Sequence, residues 1–139
     1  MLVVIDTNVM LSAFARHSPT VPLFRALRTG RLRMAVTSAI VLEYEEIAAK
    51  RGGAALASRT MHLLSLVSAA YDTILVVSPS FQFHVIVDDP DDNKFTDCAI
   101  AADANYVITA DTHFGPLASA GYKPQPITPM EFIGRHLLG

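Results

Sequence analysis

The stretch Leu2-Val3-Val4-Ile5-Asp6-Thr7-Asn8 decides the fold. Four consecutive apolar residues, three of them β-branched, read as a strand buried on both faces. That is the habit of a parallel sheet, because a half-exposed strand would alternate apolar with polar. Asp6-Thr7-Asn8 stops the run, and Val9, Met10 and Phe14 resume at helical spacing. The chain therefore opens as strand then helix, with a carboxylate at the junction.

The same alternation continues outward. Val21, Phe24 and Leu27 mark an amphipathic helix that ends near Gly30, and Met34 to Thr37 is a second strand. Ser38 reads as the N-cap of a helix through Ile40, Val41, Tyr44 and Ile47, closing before Gly52-Gly53. Ala54 to Ala69 is a further helix, Ile74 to Val77 a third strand, Asn93 to Asn105 an alanine-rich helix and Tyr106 to Thr109 a fourth strand. A short strand near Pro126-Ile127 precedes Thr128-Pro129-Met130-Glu131, a capping box that opens the last helix. Short apolar strands alternating with helices predict an α/β fold. The expected architecture is a three-layer α/β/α arrangement around a mainly parallel sheet of four or five short strands, one domain over residues 1–139.

Composition excludes other classes. Of 139 residues, 51% are hydrophobic and 17% charged, too apolar for disorder, and a single cysteine excludes a disulfide framework or a Cys-rich zinc module. No apolar run approaches the roughly 18 residues of a membrane span. The amino terminus lacks a basic segment before its apolar one, so no signal peptide is predicted and the expected location is cytoplasmic. The net charge of −2 conceals a division: residues 1–87 hold eight of eleven Lys and Arg against five acids, and residues 88–139 hold three against eight. Seven of nine aspartates fall between Asp88 and Asp111.

In a parallel sheet ligands bind at the carboxyl ends of the strands. Asp6 and Asp111 each follow a strand, and Glu43 borders the apolar stripe of the helix after strand two. Each strand-end acid is alone explicable as a helix cap or turn residue. The acids of Asp88 to Asp92 suit a helix amino terminus, and Glu45 and Glu46 suit solvent. Asp97 resists such explanations. It lies inside a helix among Phe95, Cys98, Ala99 and Ile100, where a carboxylate costs several kcal/mol unless compensated, and Lys94 is the sole base near it on that helix.

Asp6, Glu43, Asp97 and Asp111 together would repel one another unless a cation joined them. All-oxygen ligands select Mg²⁺ or Mn²⁺, one or two ions. His17, His62, His84, His113 and His136 form no H-x-x-x-H pair and are expected to be non-ligands. Thr7 and Asn8 are placed to orient a carboxylate or a water. Cys98 is expected to be packing. Nucleotide-binding glycine loops and the G-x-S-x-G elbow are absent.

These residues resemble the PIN-domain family over Leu2 to about Ile133. Val4-Ile5-Asp6-Thr7-Asn8 resembles its first strand and turn, Val41-Leu42-Glu43-Tyr44 its helical glutamate, Asp97-Cys98-Ala99-Ile100-Ala101-Ala102 its Asp-x-x-Ile-Ala-Ala helix, and Thr109-Ala110-Asp111 its terminal Thr-x-Asp. Asp91-Asp92-Asn93-Lys94 is similar to one branch of the family, often described as toxin components. The resemblance to that branch implies that Asp92, Asp97 or both fill the third metal-facing position, with both expected and Asp97 first, and with Asn93 and Thr109 in support.

What the resemblance implies is a metal-dependent endoribonuclease, with RNA as substrate, and the toxin of a toxin–antitoxin pair with a cognate antitoxin as partner. Homodimerisation is a further implication, with Ala54 to Ala69 as one candidate face. Arg28, Arg31 and Lys94 are the candidate substrate contacts, and Arg16, Arg25, Arg33, Lys50 and Arg51 are further bases for a rim around the acids. Two rivals stand beside this reading. One is a PIN-like module that binds RNA or protein without cutting. The other is a haloacid-dehalogenase-type phosphatase with Asp6 as nucleophile, although that pattern needs a second aspartate where this chain has Asn8.

Overall fold

In the computed structural model, residues 1–78, 93–110 and 123–138 are described. Five strands, β1 (Leu2–Ile5), β2 (Arg33–Val36), β3 (Ile74–Val76), β4 (Tyr106–Ile108) and β5 (Gln125–Ile127), form one sheet in the order β3-β2-β1-β4-β5. Every pairing is parallel, with Val3 opposite both Met34 and Tyr106. The sheet is thus wholly parallel, and its strand order reverses direction beside β1. Interior strands carry the most apolar residues: Val3, Val4, Ile5, Met34, Ala35, Val107 and Ile108 are completely buried. The edges tolerate what the centre would not. Pro126 sits in edge strand β5, where a missing N–H breaks no interior ladder. At the other edge Val76 is 67% exposed, although its apolar run reads like that of a buried strand.

Five helices are described: α1 (Thr7–Ala13), α2 (Val21–Arg28), α3 (Ser38–Tyr71), α4 (Asn93–Ala101) and α5 (Pro129–His136). The first three pack against one another, and α4 packs across β1, β2 and β4, giving the three-layer α/β/α arrangement. Helix α2 buries Leu23, Ala26 and Leu27 and carries Arg25 and Arg28 in its last turn, where cations complement the helix dipole.

The helix boundaries differ from the sequence reading at three points. Thr37, one residue before Ser38, is the cap of α3, its hydroxyl accepting from the Ile40 amide at 3.2 Å. Helix α4 stops at Ala101, short of the expected Asn105. Asp103 adopts the left-handed conformation, with its amide on Ile100 and the Ala104 amide on Ala99. These bonds form a Schellman closure without the usual glycine, so the sequence carried no stop signal. In α5 the Thr128 hydroxyl accepts from the Glu131 amide at 3.2 Å as expected, whereas the Glu131 carboxylate pairs with Arg135.

Helix α3 bends where the glycines stand. Gly53 has φ 71° and ψ −167°, a region closed to side chains, and a Cβ on Gly52 would come within 2.7 Å of Leu56. The two halves can therefore fold back over α1 and α2. Gly53→Ala is expected to cost about 1–3 kcal/mol through that conformation. Gly134→Ala, in α5 with open space around its Cβ position, should raise stability by roughly 0.5–1 kcal/mol. Urea unfolding of the two variants checks both signs.

Candidate functional site

Asp6 sits at the carboxyl end of β1, where the strand order reverses, and its placement begins with the backbone. Its amide donates to the Ile108 carbonyl at 3.0 Å, extending the β1–β4 ladder by one rung. The Thr109 amide donates to Ile127 at 2.9 Å, so the residue after β4 is pinned in the same way. The two ladder ends then join through side chains. Asp6 Oδ2 accepts the Thr109 hydroxyl at 2.8 Å, and Oδ1 accepts the Thr7 amide at 2.8 Å as the cap of α1. The capping and functional readings of Asp6 are therefore compatible: its carboxylate is 7% exposed and fixed at both oxygens.

Thr7 links this carboxylate to the next. Its hydroxyl donates to Glu43 Oε2 on α3, and Glu43 Oε1 takes the Lys94 ammonium from α4 at 2.6 Å. Lys94, the sole base near Asp97 on that helix, thus reaches across to another helix. Asp97 lies three residues further along α4, is 7% exposed and stands between the wholly buried Thr96 and Cys98. The expectation of a carboxylate inside an apolar helix is met.

The sequence reading gave Tyr44 a place in a helical stripe but no role at the site. Its ring is completely buried, and its hydroxyl donates to the Ile5 carbonyl, one residue before Asp6. The hydroxyl's pKa is pushed well above its ordinary 10.0, first by burial and then by the charges of Asp6, Cys98 and Glu43. Tyr44 thus ties α3 to the end of β1 at a point where two of the carboxylates bear on it. A signal existed: a tyrosine within the buried stripe of Ile40 and Ala48 must find a partner for its hydroxyl. The identity of that partner was not in the sequence.

Other predicted residues are dispersed. Asn8 is exposed, and its Oδ1 accepts from the Arg51 guanidinium. Arg28 lies over the Phe24 ring at 5.7 Å. Arg31 precedes β2, so in a parallel sheet it stands at the amino-terminal rim, about 10 Å of strand away from the rim that holds Asp6. Its guanidinium reaches the Leu137 carbonyl at 3.4 Å. The structure does not bring Arg28 or Arg31 to the carboxylates. Glu45 and Glu46 face solvent, Glu46 paired with Lys50 at 3.1 Å. Asp88 to Asp92 and Asp111 lie outside the described residues, as do His84, His113 and the side chain of Asn93.

The donor set suits a hard cation. Asp6 and Glu43 converge through Thr7 and offer only oxygens. The one nearby sulfur is a poor ligand, because burial pushes the Cys98 thiol up to about 12. Among the described residues no three Asp, Glu, His or Cys side chains group closely enough to hold an ion. Asp6 and Glu43 are the two described carboxylates joined through Thr7.

Both raised acids predict alkaline sensitivity. A group that ionises later in the folded state than in the unfolded one favours folding below its unfolded pKa and loses that contribution as pH rises through the folded value. Stability should fall between about pH 9 and 12 as Cys98 is drawn into ionising, and further above pH 10 through Tyr44. Cys98→Ala should flatten the first part of the curve and Tyr44→Phe the second, measured by denaturant unfolding across the pH range. The native thiol should also resist disulfide reagents at pH 8 until the protein is unfolded.

A family model described as the PIN domain matches residues 2–113, a span that contains Asp6, Glu43, Asp97 and Asp111. No curated protein matches the chain. PIN domains are generally nucleases and typically use divalent metal ions. Among the described residues no helix is long and apolar enough to cross a membrane. The match covers most of the sequence, and the parallel three-layer fold with its acids at the carboxyl rim agrees with it: the chain belongs to the PIN-domain family.

Proposed function

We propose that the protein is a Mg²⁺- or Mn²⁺-dependent endoribonuclease whose metal is held by Asp6, Glu43, Asp97 and Asp111, with Asp92 contributing. The observation that carries this reading is the hydrogen-bonded chain Thr109–Asp6–Thr7–Glu43–Lys94, which gathers carboxylates from two elements at the carboxyl rim of the sheet. An ion bound there supplies activation of water for attack on phosphorus and neutralisation of the phosphate charge.

The chain's own residues prepare that chemistry. Thr109 and the Thr7 amide hold both Asp6 oxygens in one orientation. Thr7 and Lys94 hold the two oxygens of Glu43 in the same manner. Lys94 supplies positive charge beside the acids, offsetting their mutual repulsion and their repulsion of a phosphodiester. Tyr44 fixes the height of Glu43 relative to the end of β1. Asp6 acts as a ligand in this reading. The arrangement gives the phosphatase alternative little support, since the acid that family carries two residues on is here Asn8, exposed and bound to Arg51.

The resemblance to toxin components extends the proposal to a biological role, the toxin of a pair neutralised by an antitoxin. Growth arrest on expression, relieved by co-expression of a small protein encoded beside it, tests that role.

Activity is expected on RNA with Mg²⁺ or Mn²⁺ and is expected to vanish on chelation. Asp6→Asn and Asp97→Asn should each lower the cleavage rate by about 100-fold or more while the variants stay folded, a loss at or beyond that seen for residues that only support metal ligands. Thr109→Val should cost about 10- to 100-fold by removing the hydroxyl that orients Asp6 Oδ2. Cleavage of a labelled RNA, followed with far-UV circular dichroism of each variant, decides the matter. Activity that survives chelation or both aspartate substitutions would sink the proposal.

A further inference from the structure

The bases of this protein divide by their partners. Lys50, Lys94, Lys123 and Arg135 are each ion-paired with an acid. Arg16, Arg25, Arg28, Arg51 and Arg59, all exposed on α2, α3 and the turn after α1, make no ion pair among the described residues, and neither do Arg31 and Arg33 at the amino-terminal rim of the sheet. Two adjoining cavities gather the first five. The first, of about 420 Å³, is walled by Arg16, Arg51 and Arg59 over an apolar floor that includes Phe14, Leu56 and Leu63. The second, of about 260 Å³, shares Phe14, Arg16 and Arg59 and adds Phe24, Arg25 and Arg28. Among the described residues no carboxylate lines either cavity. Among the described residues this concentration of guanidinium is one-signed, in a chain with net charge −2.

Asn8, two residues after Asp6, lines the first cavity and accepts from Arg51. Arg59 reaches the Phe14 carbonyl at 3.5 Å, which holds the second half of α3 against α1. The bend at Gly52-Gly53 makes this closure possible, because it turns Arg59 back toward α1 while Arg51 remains near Asn8.

We infer that this groove binds single-stranded RNA, guiding the strand from the second cavity past Arg16 and Arg59 to Arg51 and the carboxylate rim. Arginine forks match phosphate geometry and stack on bases, and unpaired arginines in a row give backbone contacts without sequence reading. The apolar floor distinguishes the strand type. Unstacked bases present apolar faces that can seat in a concave surface of this size, whereas a duplex keeps those faces stacked inside and shows phosphates, 2′-hydroxyls and base edges. The inference rests on the nuclease reading for the identity of the polymer and deepens it by assigning the approach to the site.

The test is fluorescence anisotropy with a labelled single-stranded RNA of roughly 12 nucleotides, on the full chain with chelator present so that no cleavage intervenes. The triple variant Arg16→Ala, Arg51→Ala, Arg59→Ala is expected to bind about tenfold or more weakly. Its salt dependence should flatten by about 2, since each lost phosphate contact on a single strand removes about 0.7 from the slope. The corresponding triple lysine variant should retain most of the slope. Arg31→Ala with Arg33→Ala, at the opposite rim, should bind like wild type.

Equal weakening by that control, wild-type binding by the alanine triple, or equal competition by duplex RNA overturns the inference. So does arginine-dependent capture of an acidic peptide with RNA binding unchanged by the triple. Metal-dependent cleavage separates the two proposals. RNA that is cut but bound independently of these arginines leaves the nuclease without this groove. RNA bound through them and never cut leaves the groove without the nuclease.

Discussion

Parallel pairing of β1 with β4 is the constraint from which the rest follows. The rung from the Asp6 amide to Ile108 carries that pairing one residue past the strand, and it brings Thr109 alongside. Both residues then lie at the place where strand order turns back, the natural crevice of a parallel sheet. A carboxylate placed there is shielded from water by the strands and by α4, so its oxygens must find donors. Thr7 and Thr109 are those donors, and Thr7 carries the connection on to Glu43. Removing the β1–β4 register would therefore disperse the acids before it affected any single contact among them.

Charge is arranged with the same economy. Asp6 and Glu43 are joined at one rim through Thr7, and five arginines without an ion pair among the described residues line two adjoining cavities that start at Asn8, although the net charge is nearly balanced. Lys94 sits between these regimes as the base that reaches the acids. Buried like charges raise the free energy of the folded state, which is the usual mark of a site built to receive a ligand rather than to stabilise the fold. Around it the tightly packed core of Val3, Val4, Ile5, Met34 and Phe95 supplies the rigidity that such a site needs.

The legible part of the fold was its periodicity. The strands and helices could be read from apolar runs because interior parallel strands are buried on both faces, and Asp97 could be singled out because a carboxylate within an apolar helix has no inexpensive explanation. Less legible were features set by one backbone angle or one long-range contact. Asp103 closes α4 in a conformation that glycine usually announces, and Thr37 takes the cap that Ser38 could equally have filled. Val76 is exposed because β3 is an edge, a property of strand order and not of its own residues. Tyr44 and Arg51 acquire meaning through partners about forty residues away.

By itself the sequence determined the residue types and their local order: an acid after the first strand, an acid bordering an apolar helical stripe, an acid within α4, and a paired glycine that bends α3. Those follow from steric and hydrophobic preferences acting over a few residues. Only the tertiary structure decided which of these meet. It joined Asp6 to Glu43 through Thr7, assigned Lys94 to Glu43, and sent Arg31 to the far rim while gathering Arg16, Arg51 and Arg59 into one groove. The physical reason is that burial and register are collective properties of the sheet: a side chain's neighbours across the fold are fixed by strand order, and no short stretch of sequence contains that order.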